Sequence, residues 1–335
     1  MIKNKAKIFS FNEKFNYSKA NDYFEENGFL LLRGLTNKDS VKNLSLRVEN
    51  IFTLPSAGGA FGFSKKDHYR KYIYPPLAMG KPVYEIVLNK KLIKVVENYI
   101  GSEPIISELH IKKDDPVPNV YFPLHVDIYP GWTQGEDNNI NLNNKTPVKP
   151  KYMKNKLGVG CLIYLDDCGL DRGNFMFSKG TQKNIYLKGG KLEDYSDKEK
   201  KDILDNIVHL NGKAGDVVLF DDRGWHGPNQ PAKKSRSVIE VDFTNAKFFG
   251  RWQKVDLQVP ISSMEYLDQK QIRVLGKGAK ALYNSNTLNY KQYKVQGFNR
   301  SPFYKLVVML INNGFIIQYV KDLIKHYFAK ILRRN

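Results

Sequence analysis

Cysteine is nearly absent from this chain, with only Cys161 and Cys168 in 335 residues. Two thiols cannot make a disulfide framework, and they suit a reducing compartment, so a cytoplasmic protein is the expectation. Long apolar runs are missing too. The uncharged stretch from Leu306 to Val320 is shorter than a membrane span and contains Asn312, Asn313 and Gln318. Met1 to Phe9 carries positive charge with no apolar run behind it, which does not read as a signal peptide. Acidic residues are scarce: 34 against 53 basic ones, a formal net charge of +19. Such an excess favours an anionic partner, whether phosphate, nucleic acid or an acidic membrane surface. Nucleic acid gains no second support, because the chain has no zinc-finger spacing, aromatic RNA-binding signature or helix-turn-helix pattern. No fixed-period repeat is present.

Hydrophobic residues at 41% and aromatics at 13% describe an ordered globular protein with a large core. The stretch that organises it is Pro123-Leu124-His125-Val126-Asp127-Ile128-Tyr129. If it is a strand, His125 and Asp127 point to one face. An imidazole and a carboxylate there offer two ligands of a 2-His-1-carboxylate facial triad, which binds Fe(II) and leaves positions open for substrates. His226 is the candidate third ligand, read at the polar end of the apolar strand Val217-Val218-Leu219-Phe220, with Arg236 downstream. His68, His110, His209 and His326 lack partners at ligand spacing and read as structural or surface residues. Trp225 reads as core packing, whereas Tyr129 and Trp132 are better placed to meet a substrate.

Around this centre the chain reads as many short strands after a helical start. A helix ends at Gly28, a strand follows over Phe29 to Arg33, and Thr36 with Asp39 caps a helix carrying Val41, Leu44, Val48 and Ile51 on one face. Lys90 to Tyr99 is a helix closed by Gly101, and Ile105 to Lys112 a strand. Further strands cover Leu157 to Leu165, Phe175 to Ser178 and Ser237 to Phe243, and Lys191 to Asn206 reads as a charged, exposed helix. Ser56 to Lys71 is a glycine-rich, basic loop, either solvated or in contact with substrate, and Gly131 to Lys156 is either a lid or a disordered insertion. This pattern predicts a mainly β protein, a jelly roll or barrel flanked by helices.

The chain resembles the phytanoyl-CoA dioxygenase family of Fe(II)- and 2-oxoglutarate-dependent oxygenases from about Asp22 to Thr244. The landmarks are Asn27-Gly28-Phe29-Leu30-Leu31-Leu32-Arg33-Gly34-Leu35, His125-Val126-Asp127, Tyr164-Leu165-Asp166-Asp167, Gly215-Asp216-Val217-Val218-Leu219-Phe220, and Trp225-His226-Gly227 with Arg236. The resemblance implies a double-stranded β-helix (a cupin-like jelly roll), iron on His125, Asp127 and His226, and the distal carboxylate of 2-oxoglutarate on Arg236. A guanidinium suits that task because it forks onto a carboxylate and stays charged. Lys112 is a further candidate for the co-substrate. With O2, such enzymes oxidise a C–H bond while 2-oxoglutarate becomes succinate, and the intact Asp127 favours hydroxylation over halogenation. Two departures stand out. Ser178-Lys179-Gly180-Thr181-Gln182-Lys183 replaces the usual Pro-Gly-Ser-His type of turn, and Pro228-Asn229 follows the second histidine where a small hydroxyl residue is common.

The expected division is an oxygenase domain over residues 1–250 and an extension over 251–335. Ser301 to Asn335 reads as two helices, the second basic and amphipathic, fit either to pack on the barrel, to dimerise, or to lie on an anionic membrane surface. The expected substrate is a small or conjugated metabolite, anionic or sugar-linked. A non-catalytic binding protein of the same fold and a cupin-type metal enzyme without 2-oxoglutarate are the alternatives.

Overall fold

The computed structural model describes residues 6–52, 70–73, 76–116, 120, 123–130, 149–245 and 267–276. Its elements are β1 (Ile8–Ser10), α1 (Tyr17–Asn27), β2 (Phe29–Arg33), α2 (Lys38–Phe52), β3 (Arg70–Ile73), α3 (Lys81–Val87), α4 (Lys90–Ile100) and β4 (Pro104–Asp114). Then come β5 (Gly158–Tyr164), β6 (Phe175–Ser178), α5 (Asp197–Asp205), β7 (Ile207–Leu210), β8 (Val217–Asp221), β9 (His226–Pro228), β10 (Arg236–Asn245) and α6 (Gln269–Val274). The strands form two sheets: a seven-stranded one in the order β1-β2-β8-β5-β10-β4-β3, and a three-stranded one in the order β7-β6-β9.

The large sheet is buried on both faces, and alternation along its strands sorts the side chains. Leu30 and Leu32 of β2, Val159, Cys161 and Ile163 of β5, Val217 and Leu219 of β8, and Ile239 and Val241 of β10 face a core shared with the helices. The intervening Phe29, Leu31, Leu162, Tyr164, Val218, Phe220 and Val238 meet Phe175, Phe177, Val208 and Leu210 of the small sheet. Two sheets closed over an apolar layer, with helices outside, are the expected jelly roll. Within the large sheet, Phe220 of β8 lies opposite Gly160 of β5 and lays its ring where a side chain at Gly160 would be.

Local chemistry explains the helix ends. Asn16 caps α1, accepting from Lys19 N at 2.9 Å, and Gly28 ends it at φ 80°, a conformation that glycine adopts without strain. Gly101 ends α4 in the same way at φ 73°. The cap of α2 is Asn37, not Thr36: its Oδ1 accepts from Asp39 N at 2.8 Å and Ser40 N at 3.2 Å. Thr36 instead donates to the Gly215 carbonyl at 3.0 Å, joining this segment to the turn before β8. Helix α5 is shorter than the charge pattern suggests. It starts at a capping box of Ser196 and Glu199, and Lys191 to Tyr195 holds only a short turn over Leu192–Asp194.

Most of the basic loop, residues 131–148 of the lid segment and residues 277–335 of the extension lie outside the described residues. Among the described residues no helix is long and apolar enough to cross a membrane.

Candidate metal and co-substrate site

His226 is not at the end of the strand that precedes it. Strand β8 stops at Asp221, the chain turns through Asp222, Arg223 and Gly224, and His226 opens β9 in the other sheet. A buried polar network enforces the turn. Asp221 accepts from Arg223 Nε at 2.8 Å, Arg223 Nη2 at 2.6 Å and the Tyr99 hydroxyl at 2.7 Å, while Arg223 Nη1 donates to the Met153 carbonyl at 2.8 Å. The apolar run thus ends where charge can be paired internally.

His125 and Asp127 come from an irregular extended segment, not from a regular strand. Among the described residues its ladder contacts are isolated bridges from His125 to Lys191 and to His226. Asp127 N and Ile128 N both donate to the Asp222 carbonyl, at 3.1 and 3.2 Å, and Val126 N donates to Gly190 O at 3.2 Å. The turn that delivers His226 therefore also anchors Asp127. Thr181 secures the other side, its hydroxyl accepting from Trp225 N at 3.0 Å. That hydroxyl lies in the turn that replaces the usual one of the family, so its substitute sequence still braces the histidine. Trp225 is fully buried against Tyr186 and Tyr195, as expected of core packing.

The three side chains converge. One donor atom from each of His125, Asp127 and His226 lies within 4.8 Å of the others. Nε2 of His125 is 3.4 Å from Asp127 Oδ1, and Nε2 of His226 is 3.3 Å from Oδ2. The opposite ring nitrogens are fixed by backbone: His125 Nδ1 lies 3.0 Å from the Pro123 carbonyl and His226 Nδ1 2.9 Å from the Gly224 carbonyl. A carbonyl only accepts, so each Nδ1 carries the hydrogen, and in a neutral imidazole Nε2 then presents a lone pair. Burial lowers the pKa of His226 against the pull of Asp127, favouring the neutral ring. Phe220, Phe175 and Phe177 surround that ring at centroid distances of 4.5, 5.6 and 6.5 Å. Two imidazole lone pairs and a carboxylate facing one another repel unless a cation lies among them. The donor set suits a divalent ion such as Fe(II).

Arg236 begins β10 and is buried in a second polar cluster. Its Nε and Nη2 donate to Asp114 Oδ2 at 3.1 and 2.9 Å, and Nη1 donates to the Gly173 carbonyl. Gly173 leads into β6, and the next residue, Asn174, accepts from Asn229 N just beyond β9, so the guanidinium reaches the ends of β6 and β9 opposite to the one where His226 pairs with Phe177. Asn229 and Pro228 are engaged there in backbone pairing. Lys112, on β4 opposite Val238, is also buried, with its ammonium 2.6 Å from Glu240. Among the histidines outside the triad, His110 pairs with Glu108 at 2.5 Å and His209 lies 3.3 Å from Asn174, as structural residues do. His68, His326 and Trp132 lie outside the described residues. Asp114, Asp222, Arg223 and Thr181 were not singled out by motif reasoning, and Arg70, expected among the cations of the basic loop, instead opens β3 and is buried. Only the mixed charges of Lys112-Lys113-Asp114-Asp115, on a strand otherwise buried, hint at the first of them.

Fold and donor set together define an iron-dependent oxygenase of the two-sheet β class. A sequence profile of phytanoyl-CoA dioxygenase (PhyH) matches residues 24–237, and the chain belongs to that family, whose enzymes use iron, 2-oxoglutarate and O2. Among solved structures, EctD from S. alaskensis with 2-oxoglutarate and 5-hydroxyectoine has a TM-score of 0.52 at 16% identity, covering 71% of this chain and 79% of that one. HygX from Streptomyces hygroscopicus, with nickel, 2-oxoglutarate and hygromycin B bound, has a TM-score of 0.50 at 15% identity, covering 72% and 92%. The epimerase SnoN, in complex with Fe3+, alpha ketoglutarate and nogalamycin RO, has a TM-score of 0.50 at 14% identity, covering 69% and 84%. At these identities the likeness is one of fold. No curated protein matches the sequence. Family membership places the chain among the oxygenases and not among cupin-type metal enzymes that do without 2-oxoglutarate.

Proposed function

We propose that this protein hydroxylates a C–H bond of a small or conjugated metabolite, with His125, Asp127 and His226 holding Fe(II) and Arg236 receiving the distal carboxylate of 2-oxoglutarate. The observation that carries the reading is the convergence of the two Nε2 lone pairs on separate oxygens of Asp127. Iron bound there with 2-oxoglutarate and O2 would supply the oxidant, as the co-substrate is decarboxylated to succinate.

The chain's own residues do the rest. The Pro123 and Gly224 carbonyls fix both imidazoles in the ligating tautomer, and the Asp222 carbonyl holds the Asp127 backbone. Phe175, Phe177 and Phe220 keep water from the inner side of His226, which is buried, while His125 and Asp127 stay partly exposed and mark the side a substrate approaches. The hydrogen bonds described for Arg236 use three of its five N–H donors, so a second carboxylate can still be met by this guanidinium. Lys112 would contact the co-substrate only by sharing its ammonium with Glu240.

For the substrate, the charge of +19 supports an anionic molecule. The 5-hydroxyectoine in the EctD structure and the hygromycin B in the HygX structure support small-molecule chemistry in general. The test is substrate-stimulated 2-oxoglutarate consumption across a panel of phosphorylated, sugar-linked and neutral metabolites, with the product analysed for one added oxygen. Stimulation by a neutral aliphatic compound alone would overturn the anionic part of the reading. Residues 301–335, outside the described part, are proposed to contact membrane surfaces, tested by vesicle binding of the chain with and without them.

A further inference from the structure

Asp114, the last residue of β4, sits in register between two arginines: Arg70 on β3 and Arg236 on β10. All three are buried. The carboxylate does not treat the two alike. Its Oδ1 lies 2.5 Å from Arg70 Nε, and its Oδ2 takes Arg70 Nη2 at 3.3 Å. Arg236 is left with Oδ2 alone, which accepts from both its Nε and its Nη2. A carboxylate facing one guanidinium ordinarily gives an oxygen to each of two parallel N–H groups. Arg70 prevents that here by occupying Oδ1.

We propose that Arg70 is a positioning residue that shares the charge of Asp114, so that Asp114 does not neutralise Arg236, which keeps a net positive charge and its remaining Nη1 and Nη2 hydrogens for a second carboxylate, the distal one of 2-oxoglutarate. The inference rests on the co-substrate role given to Arg236 above. Without Arg70, the charge of Asp114 falls on Arg236 alone, and a co-substrate carboxylate would meet a buried guanidinium already neutralised. The neighbouring cation, Lys112, is held by Glu240 and does not replace Arg70.

The test is calorimetry on the full-length, Mn(II)-loaded protein with 2-oxoglutarate and with 2-oxopentanoate, which has the same carbon chain but ends in a methyl group. The readout is the ratio of the two affinities, which a general structural lesion does not move. Wild type should prefer 2-oxoglutarate on the order of 100-fold. Arg70→Met should lower the ratio about tenfold, with Mn(II) and 2-oxopentanoate affinities unchanged, and adding Asp114→Asn should restore it, because the competing carboxylate is then gone. An unchanged ratio in Arg70→Met, or no recovery in the double variant, overturns the proposal. Should Arg70→Met not fold, Asp114→Asn alone decides: a ratio at or above wild type supports the proposal, and a lower one shows that Asp114 orients Arg236 instead. Arg236→Met should bring the ratio to about 1. If it does not, the co-substrate reading of Arg236 has failed, a result separate from any failure of Arg70.

Discussion

His125 and His226 hydrogen-bond to each other through both backbone groups, His125 N to His226 O at 2.9 Å and His226 N to His125 O at 3.0 Å. That reciprocal pair fixes the two imidazoles, 4.5 Å apart between ring centroids, whatever the loops around them do. Residues far apart in the chain thus behave as one rigid unit, and Asp127 is clamped to the same unit by the Asp222 carbonyl.

Metal should therefore bind a formed site and stabilise the fold. Fe(II) or Mn(II) at a hundred times its Kd should add about 2.7 kcal/mol to unfolding stability, and a chelator should remove it. In Asp127→Ala the gain should vanish. Denaturation with and without metal measures it, and an equal gain in the variant would place the ion elsewhere.

The turn before β9 depends on the Asp221–Arg223 pair, in which the carboxylate is fully buried. Arg223→Met should cost about 3 to 5 kcal/mol, because Asp221 is left without its cation. Urea unfolding at neutral pH checks this. A loss below 1 kcal/mol would mean that the turn is held by its backbone alone.

Thr181→Val keeps the shape of the side chain and removes the acceptor for Trp225 N. With that N–H buried, the expected loss is about 1 to 3 kcal/mol, accompanied by weaker metal binding as the His226 segment loosens. Stability loss with unchanged metal affinity would separate Thr181 from the site.

Asp114 gives a pH signature. Burial opposes its ionisation, but Arg70 and Arg236, then Lys112, outweigh burial and hold its carboxyl well below the usual carboxylate range. A carboxyl depressed in the folded state contributes stability that is complete above its unfolded pKa, roughly 4, and is lost as pH falls through the folded value. Wild type should lose stability steeply below about pH 4, and Asp114→Asn should show a shallower acid limb. Parallel acid limbs in denaturation series would contradict the assignment.

Much of this was legible in the sequence. Apolar patterning, with glycine at helix ends, located α1, β2, α4, β5 and β6, because the helices bury one regular face and the strands are short, almost wholly buried apolar runs. The spacing of His125 and Asp127 marked the site, yet the physical reason is irregular: a bend pinned by the Asp222 carbonyl, with no strand alternation. The break between β8 and β9 was hidden because Phe220 to His226 is buried throughout, and burial by itself does not tell which sheet a residue joins. Asn37 and Thr36 are both good caps by type, and only the distant Gly215 carbonyl, drawing Thr36 away, decides between them. Asp114 and Arg70 were unreadable for a like reason, since their partnership exists only in the register of β3, β4 and β10.

The central claim is tested most directly by succinate formation from 2-oxoglutarate and O2 by anaerobically purified protein loaded with Fe(II), comparing wild type with His226→Ala and no added substrate. Slow succinate production that requires Fe(II) and O2 and disappears in the variant is the predicted result. Equal production by both proteins, or an iron form that neither turns over nor binds 2-oxoglutarate, would contradict it.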